Sequence, residues 1–253
     1  MNLEDKVVVV TGSTRGYGFA IAESMLEAGA SVAITGRSKE AIQQAVDRLQ
    51  TKGRVNGFVL DVREERHVYN LVKDVLKEFG RIDIALLNIG IGPSLNIATA
   101  CPGDIKQNMR MNYDTMVNFF CPLVKQMKTQ DSGGIIANTN SLAGFLGMPT
   151  QGQYSAAKAA CRIFLDTARI ELKPFNIRVL TLCPGFVVTE RNKHHGLPKS
   201  LTMSMDEAAQ HILKALKSET REYMFPPSLK MAVVVGRALP NFLKDKILSK
   251  MAD

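Results

Sequence analysis

The sequence lacks any long hydrophobic run, and it contains few cysteines. No segment among its 253 residues approaches the ~20 consecutive apolar residues that a helix needs to cross a bilayer. Residues 1–6 contain no apolar signal region, so secretion is not expected. The four cysteines are scattered without metal-type spacing, and we expect them to be reduced side chains of a cytoplasmic protein: Cys101, Cys121, Cys161 and Cys183.

A dense basic tract is also missing, although the formal net charge is +8. The cationic residues are spread along the chain without a set of aromatic residues for base stacking, so nucleic-acid binding is not expected. Some of this charge is expected to serve a phosphate-rich cofactor. The adjacent His194 and His195 have no third ligand at suitable spacing, and no metal site is expected.

Apolar strands alternate with amphipathic helices along most of the chain. Near-continuous apolar strands separated by helices are typical of a parallel sheet that is covered on both faces. We therefore predict an α/β protein with one doubly wound sheet in a single domain over residues 1–253. The predicted strands are 6–11, 31–35, 55–61, 84–88, 133–141 and 177–183, and the predicted helices are 19–28, 39–52, 65–79, 104–128 and 154–172.

A glycine-rich turn, Thr11-Gly-Ser-Thr-Arg-Gly-Tyr-Gly18, joins the first predicted strand to the first predicted helix. Glycine allows the backbone to turn sharply and to approach a pyrophosphate, whose charge is met by the free amides at the helix N-terminus. The turn therefore predicts a dinucleotide site at Gly12, Ser13, Thr14, Arg15, Gly16 and Gly18.

The second predicted strand ends in Thr35-Gly36-Arg37-Ser38, without the acidic residue that binds the ribose 2′-hydroxyl of NAD. Arg37 and Arg15 are instead able to clamp a 2′-phosphate between two planar guanidinium groups. With Ser38 beside them, we predict NADP(H) as the cofactor.

Tyr154 and Lys158 stand four residues apart on one face of a predicted helix, and Ser141 ends the preceding strand. Open α/β sheets bind ligands at that edge of the strands. A neighbouring ammonium favours the ionised phenol, which predicts Tyr154 as a general acid and base, and Ser141 is placed to hydrogen-bond a substrate oxygen. A Tyr-x-x-x-Lys pair alone is also common on exposed helix faces, so the rest of the pattern must decide.

Together these features resemble the short-chain dehydrogenase/reductase family of Rossmann-fold oxidoreductases over residues 5–225. The chain departs from the family pattern at Ile89, which adds bulk beside the expected cofactor ribose. The residues that carry the resemblance follow the family's order and spacing: glycines 12, 16 and 18, Asp61-Val62, Asn88-Ile-Gly90, Asn112, Ser141, Tyr154, Lys158 and Pro184-Gly-Phe-Val-Val-Thr189.

The resemblance implies hydride transfer between a nicotinamide cofactor and a carbonyl or secondary alcohol, in a homo-oligomer that pairs through the helices containing Asp104 and Tyr154. It implies that Tyr154 is the acid/base, that Ser141 orients the carbonyl and that Lys158 stabilises the phenolate and holds the nicotinamide ribose. Asn112 would bind a water of a proton relay. The cofactor would also contact Asp61, Val62, Asn88, Gly90, Tyr154, Lys158, Pro184, Gly185, Val187 and Thr189.

Residues 185–205 are predicted to form a polar substrate lid. At its end, a capping box at Ser204 and Glu207 predicts the start of another helix. The residues expected around the cleft are mainly apolar, which favours a hydrophobic substrate. Residues 226–253 form an amphipathic tail in which Pro240 fits a helix start.

Three roles are open for this tail: packing over the substrate pocket, contact with another subunit, or peripheral contact with an anionic membrane. The alternatives to an enzyme are a non-catalytic NADP-binding sensor or scaffold, and a peripheral membrane module that uses the tail.

Overall fold

The structure, a computed structural model, describes residues 1–189 and 201–249. Its strands are β1 (Val7–Val10), β2 (Ser31–Gly36), β3 (Val55–Val59), β4 (Ile84–Leu87), β5 (Gly134–Thr139), β6 (Ile177–Pro184), β7 (Phe186–Val187), β8 (Thr202–Met203) and β9 (Glu222–Phe225). Seven of them form a parallel sheet in the order β3-β2-β1-β4-β5-β6-β9, and β7 pairs with β8 separately.

Helices cover both faces of this sheet. They are α1 (Gly16–Glu27), α2 (Lys39–Leu49), α3 (Glu65–Phe79), α4 (Pro102–Met109), α5 (Thr115–Met127), α6 (Gly152–Glu171), α7 (Met205–Ser218), α8 (Pro227–Ala238) and α9 (Asn241–Ser249). Alternate side chains of each strand point to opposite faces. Val8 and Val10 therefore pack with α1 and α7, whereas Val7 and Val9 pack with α3, α5 and α6. The predicted doubly wound parallel sheet is confirmed.

The strand order reverses between β1 and β4. The chain runs outward from β1 through β2 to β3, and then returns to place β4 on the other side of β1. Because the following helices diverge at this point, a crevice opens at the carboxyl ends of β1 and β4. The glycine-rich turn and the residues after β4 border this crevice.

Several predicted boundaries differ from the structure. The predicted helix 104–128 is divided into α4 and α5 by a π-helix, Arg110–Asp114. The tail contains two helices where one was predicted to start at Pro240, and β9 was not predicted. The capping box at Ser204 is confirmed, since Ser204 Oγ accepts a hydrogen bond from the Glu207 amide at 3.1 Å.

The ends of the predicted lid are short strands, because β7 and β8 pair with each other. Residues 190–200 of the lid, with His194 and His195, lie outside the described residues. Within residues 1–189 and 201–249, no helix combines the length and apolar character that a bilayer crossing requires. The same residues hold no cluster of three His, Cys, Asp or Glu side chains that could bind a metal ion.

Candidate active site

The glycine-rich turn after β1 is anchored to the strands on both of its sides. The buried Ser13 hydroxyl accepts a hydrogen bond from the Thr35 amide at 3.1 Å, and the Thr35 hydroxyl accepts one from the Gly12 amide at 3.1 Å. On the other side, the Thr11 hydroxyl accepts a hydrogen bond from the Asn88 amide at 2.8 Å. The turn is therefore held between the ends of β2 and β4.

The glycines in this turn bring the backbone close to the start of α1. Gly12 and Gly16 have φ values of +65° and +60°, in the left-handed region that favours glycine. A Cβ at Gly18 would lie 2.2 Å from the Gly12 carbonyl oxygen, which no side chain tolerates. The first amides of α1 donate no hydrogen bond to a capping side chain. This exposed backbone fits a pyrophosphate group at the helix N-terminus.

Asn88 and Ile89 line the crevice where the resemblance places the cofactor. Asn88 Oδ1 is buried and has no hydrogen-bond partner among the described residues, so it is an acceptor available to a ligand. Ile89 packs partly against the core, and its Cγ1 lies 3.0 Å from the position that a Cβ on Gly12 would occupy. Ile89 therefore fills space beside Gly12, while its neighbour Leu87 is buried in the core.

Two exposed arginines flank the end of β2. Neither Arg15 nor Arg37 forms an ion pair within the described part of the chain. Ser38 caps α2 by accepting a hydrogen bond from the Ala41 amide at 3.2 Å, and it donates one to Glu40 at 2.6 Å. Glu40 is thus the nearest carboxylate after β2, and the Ser38 hydroxyl holds it at the start of α2.

Asp61 follows β3 and is paired with Arg63, whose Nε donates to both carboxylate oxygens at 2.9 and 3.0 Å. These hydrogen bonds, together with the weaker influence of the Arg37 charge, lower the pKa of Asp61 to about 2. Its neighbour Val62 is buried. The Asp61 carboxylate is therefore ionised near neutral pH and held in place beside the crevice.

Lys158 is a buried cation at the carboxyl end of β5. Its side chain is only 3% exposed, and Nζ donates a hydrogen bond to the Thr139 carbonyl at 2.9 Å. No carboxylate among the described residues lies within ion-pair distance of it. An ammonium has three hydrogen-bond donors. The geometry therefore leaves donor capacity at Lys158 for groups that enter the site.

Asn140 connects the backbone of Lys158 to Ser141. Its Nδ2 donates to the Lys158 carbonyl at 3.0 Å, and its Oδ1 accepts from the Ser141 amide at 2.8 Å. Ser141 Oγ in turn accepts from the Ala143 amide at 3.1 Å, so its hydroxyl proton is directed elsewhere. Three consecutive residues at the end of β5, 139–141, thus hold the serine and the lysine in one unit.

The π-helix places Asn112 in the same region. Asn112 is buried, and its side chain donates to the Ile91 carbonyl at 2.8 Å and accepts from the Ile91 amide at 3.2 Å. A Cβ on Gly90 would lie 2.7 Å from Asn112 Oδ1 and 2.9 Å from Lys158 Nζ. Both atoms therefore surround Gly90, where only glycine leaves room for them. A π-bulge of this kind is frequent at functional sites.

Tyr154 is half-buried between Lys158 and the segment after β4. The Lys158 ammonium lies 5.6 Å from the centre of the tyrosine ring. A Cβ on Gly92 would be 3.0 Å from Tyr154 Cδ2, so that segment passes directly over the ring. This arrangement puts a phenol next to a buried positive charge at the ligand-binding edge of the sheet.

The segment after β6 approaches the site from the side of the tail. Pro184 ends β6, and the Gly185 amide donates to the Phe225 carbonyl at 2.7 Å. Val187 pairs with Met203 through β7 and β8. A Cβ on Gly185 would lie 2.4 Å from Leu229 Cδ1, which places the first turn of α8 against this segment. Thr189 is the last residue described before the gap.

The structure brings Asn112, Tyr154 and Lys158 together around Gly90 and Gly92, with Ser141 linked to Lys158 through Asn140. Sequence reasoning did not single out Asn140, Asn108 or Thr11. Asn108 also holds the Ile91 carbonyl, with Nδ2 at 3.1 Å. The spacing of Asn108 and Asn112, which puts two amides one turn apart on one face of the predicted helix, was the available signal.

Comparisons with known proteins agree with this geometry. The family model described as short chain dehydrogenase matches residues 6–199. A 3alpha-hydroxysteroid dehydrogenase from Mediterraneibacter gnavus is 32% identical over 193 residues, which are 75% of this chain and 77% of that protein. A 3-ketodihydrosphingosine reductase from Bacteroides thetaiotaomicron is 28% identical over 245 residues, which are 95% of this chain and 87% of that protein.

Solved structures share the fold. A short-chain dehydrogenase/reductase from Burkholderia phymatum in complex with NAD has a TM-score of 0.83 at 22% identity, covering 94% of this chain and 95% of that one. An alcohol dehydrogenase from Thermococcus sibiricus complexed with 5-hydroxy-NADP has a TM-score of 0.79 at 27% identity, covering 88% and 96%. Because the family model spans most of the sequence, the chain belongs to the short-chain dehydrogenases/reductases, Rossmann-fold oxidoreductases that use a nicotinamide cofactor.

Proposed function

We propose that this protein is an NADP(H)-dependent oxidoreductase that interconverts an apolar ketone or aldehyde and the corresponding alcohol, with Tyr154 as the acid/base. The observation that carries the proposal is the buried Lys158 ammonium beside the Tyr154 ring, without a carboxylate partner among the described residues. A buried, unpaired cation is costly unless it interacts with something else. A phenolate and a ribose hydroxyl would both satisfy it.

The cofactor, when bound, supplies or accepts the hydride. In the reducing direction Tyr154 donates its phenolic proton to the carbonyl oxygen of the substrate, and in the oxidising direction it takes that proton back. The Lys158 charge favours the phenolate that remains after donation. Ser141 donates a hydrogen bond to the same oxygen, because its own Oγ already accepts from the Ala143 amide.

Asn112 is a positioning residue in this proposal. By holding both backbone groups of Ile91, it fixes residues 90–92, the segment that passes over the Tyr154 ring. We also propose that it lies on the route by which protons reach Lys158, since its Oδ1 and the Lys158 ammonium face the same space at Gly90.

NADP(H) is favoured over NAD(H) by the charges at the end of β2. Arg15 and Arg37 are exposed there without ion-pair partners in the described chain, and both guanidinium groups are available to a 2′-phosphate. Glu40, the first acidic side chain after β2, is hydrogen-bonded to Ser38, and Asp61, which the Arg37 charge influences, is paired with Arg63. The solved structures do not favour either cofactor, since the Burkholderia phymatum protein is in complex with NAD and the Thermococcus sibiricus protein with 5-hydroxy-NADP, so the choice rests on the two arginines.

An apolar substrate is supported by the residues around Ser141. Leu142 is buried there, and Leu146 and Leu229 approach from the following turn and from α8. The names of two relatives refer to a hydroxysteroid and to a sphingoid ketone, both largely apolar molecules. The match to the 3-ketodihydrosphingosine reductase covers 95% of this chain, so it must include helix α8 of the tail.

We further propose a cytoplasmic homo-oligomer. The four cysteines form no disulfide, as expected of a reducing compartment. Helices α4 and α6 expose the apolar side chains of Ile105, Ile163 and Ile170, at 42%, 56% and 70%. Exposed apolar side chains on neighbouring helices favour burial against a second subunit.

Replacing Tyr154 by Phe keeps the ring and removes the transferable proton. We expect turnover to fall by roughly two to four orders of magnitude, because a positioned acid/base contributes about that much. NADPH oxidation measured by absorbance, on a carbonyl compound identified by screening, checks the rate, and fluorescence titration checks that NADPH still binds. Tyr69→Phe, on the surface of α3, is the control. Undiminished turnover in Tyr154→Phe contradicts the proposed role of Tyr154. NADPH binding by the unmodified protein without turnover of any carbonyl compound would instead favour a sensor or scaffold.

Replacing Asn140 by Ala releases Ser141 and the Lys158 backbone from each other. We expect kcat to fall by roughly tenfold to a hundredfold with little change in NADPH affinity, since small displacements of catalytic groups have effects of this size. Asn138→Ala is the matched control, because Asn138 is equally buried but donates to the Leu87 carbonyl instead. Equal losses of kcat in the two variants would indicate general destabilisation and contradict the positioning role.

Replacing Arg37 by Gln removes one side of the phosphate clamp. We expect the dissociation constant for NADPH to rise by roughly tenfold to a hundredfold, the effect of one charged hydrogen bond, while that for NADH is unchanged. Arg66→Gln, another exposed arginine, should alter neither value. Tighter binding of NADH than NADPH by the unmodified protein, measured by titration calorimetry, would rule out the clamp.

The mass of the protein in solution tests the proposed assembly. Light scattering coupled to gel filtration is expected to give at least twice the chain mass of 27.8 kDa. The apolar side chains of α4 and α6 provide the physical reason. A mass of one chain across the micromolar range contradicts the homo-oligomer and leaves the catalytic proposal unaffected.

A further inference from the structure

Helix α8 has one side that contacts the catalytic region. Leu229, Val233 and Gly236 are spaced by four and three residues and therefore share a face. A Cβ on Gly236 would lie 3.2 Å from Leu146 Cδ1, and Leu229 Cδ1 lies against Gly185 as described above. Val233 is correspondingly half-buried. This face of α8 covers the apolar side of the cleft next to Ser141.

Two arginines join α8 to the turn after Ser141 through one aromatic ring. The Arg237 guanidinium, at the end of α8, lies 5.5 Å from the centre of the Phe145 ring. The Arg162 guanidinium, one turn after Lys158 on α6, lies 4.6 Å from the same ring. Cation–π contacts at these distances are attractive. The position of α8 is therefore tied to the elements that hold Ser141 and Lys158.

The other side of α8 and much of α9 expose apolar side chains. Met231, Val234 and Val235 are 62%, 48% and 51% exposed and share a helix face, and Phe242 and Ile247 of α9 are 69% and 53% exposed. Neither helix contains a buried residue. We call these five side chains the tail surface. Clusters of exposed apolar side chains mark contact sites for proteins or membranes.

The charges around the tail surface distinguish between its potential occupants. Residues 226–249 contain four cationic side chains, Lys230, Arg237, Lys244 and Lys246, and one carboxylate, Asp245. Two copies of the chain that met through this surface would bring like charges together. An anionic bilayer instead provides hydrocarbon for the apolar side chains and negative headgroups for the lysines.

We propose that the tail surface docks on an anionic lipid bilayer, so that a lipid-like ketone passes from the membrane into the cleft beside α8. The substrate part of this inference rests on the proposed function. The docking part rests on the exposure and the charge of α8 and α9, and on the contact of the opposite face of α8 with the catalytic region. A substrate that is embedded in the bilayer would then reach Ser141 without crossing water.

Vesicle co-sedimentation of the full-length protein tests the docking. We expect binding to phosphatidylcholine vesicles that contain phosphatidylglycerol, and much weaker binding to vesicles of phosphatidylcholine alone or at high salt. Val234→Glu should weaken binding by roughly tenfold or more, because it places a negative charge in the apolar contact. Val59→Glu, at a 56% exposed side chain on β3, is the matched control and should bind as the unmodified protein does.

Equal binding by Val234→Glu and Val59→Glu, or no binding of the unmodified protein to anionic vesicles, would overturn the proposal. A smaller solution mass in Val234→Glu, with unchanged vesicle binding, would assign the tail surface to subunit contact and overturn it as well.

Enzyme assays separate this inference from the proposed function. On a water-soluble ketone, Val234→Glu is expected to retain the activity of the unmodified protein, because Val234 does not face the cleft. On a long-chain ketone carried in anionic vesicles, its rate should fall by roughly the same factor as its binding. Equal rates of the two proteins on the vesicle-borne ketone contradict delivery from the membrane, whereas inactivity of the unmodified protein on both substrates contradicts the proposed function.

Discussion

The site is organised around the buried ammonium of Lys158. Removing a charge from water costs several kcal/mol unless other groups compensate for it. The Thr139 carbonyl provides one hydrogen bond, and no carboxylate among the described residues provides an ion pair. A nearby Asp or Glu would have satisfied the lysine with an ion pair. Without such a carboxylate among the described residues, Lys158 keeps hydrogen-bond donors for a group that enters the site.

The surrounding backbone is shaped to let this charge lie close to its neighbours. Gly90 leaves room for both the ammonium and the Asn112 amide, and Gly92 leaves room for the tyrosine ring. Asn112 lies in the π-helix between α4 and α5 and holds both backbone groups of Ile91. The irregular turn of helix and the two glycines are thus parts of one arrangement, in which close packing replaces solvent around the cation.

The sequence predicted those features that depend on local pattern. Strand–helix alternation was sufficient for the parallel sheet, and the Tyr154 to Lys158 spacing was sufficient for their common helix face. Features created by distant contacts were not predictable in this way. The Arg110–Asp114 interruption depends on a side-chain bond to Ile91, which is 21 residues away, and the local pattern there remains that of a helix. Similarly, β9 has four residues whose strand conformation depends on pairing with β6.

In the tail, too, the local pattern predicted the helices, whereas their orientation depends on distant contacts. Its amphipathic spacing indicated helices, yet it left open which side faces the protein. Gly185 and Gly236 decide this, because a larger side chain at either position would meet Leu229 or Leu146 and push α8 away from the cleft. With this contact in place, Met231, Val234 and Val235 necessarily point outward, since they lie on the opposite face of the same helix. Close packing over the catalytic turn and apolar exposure to the surroundings are therefore two consequences of one orientation, which links access to the cleft with whatever the outer face contacts.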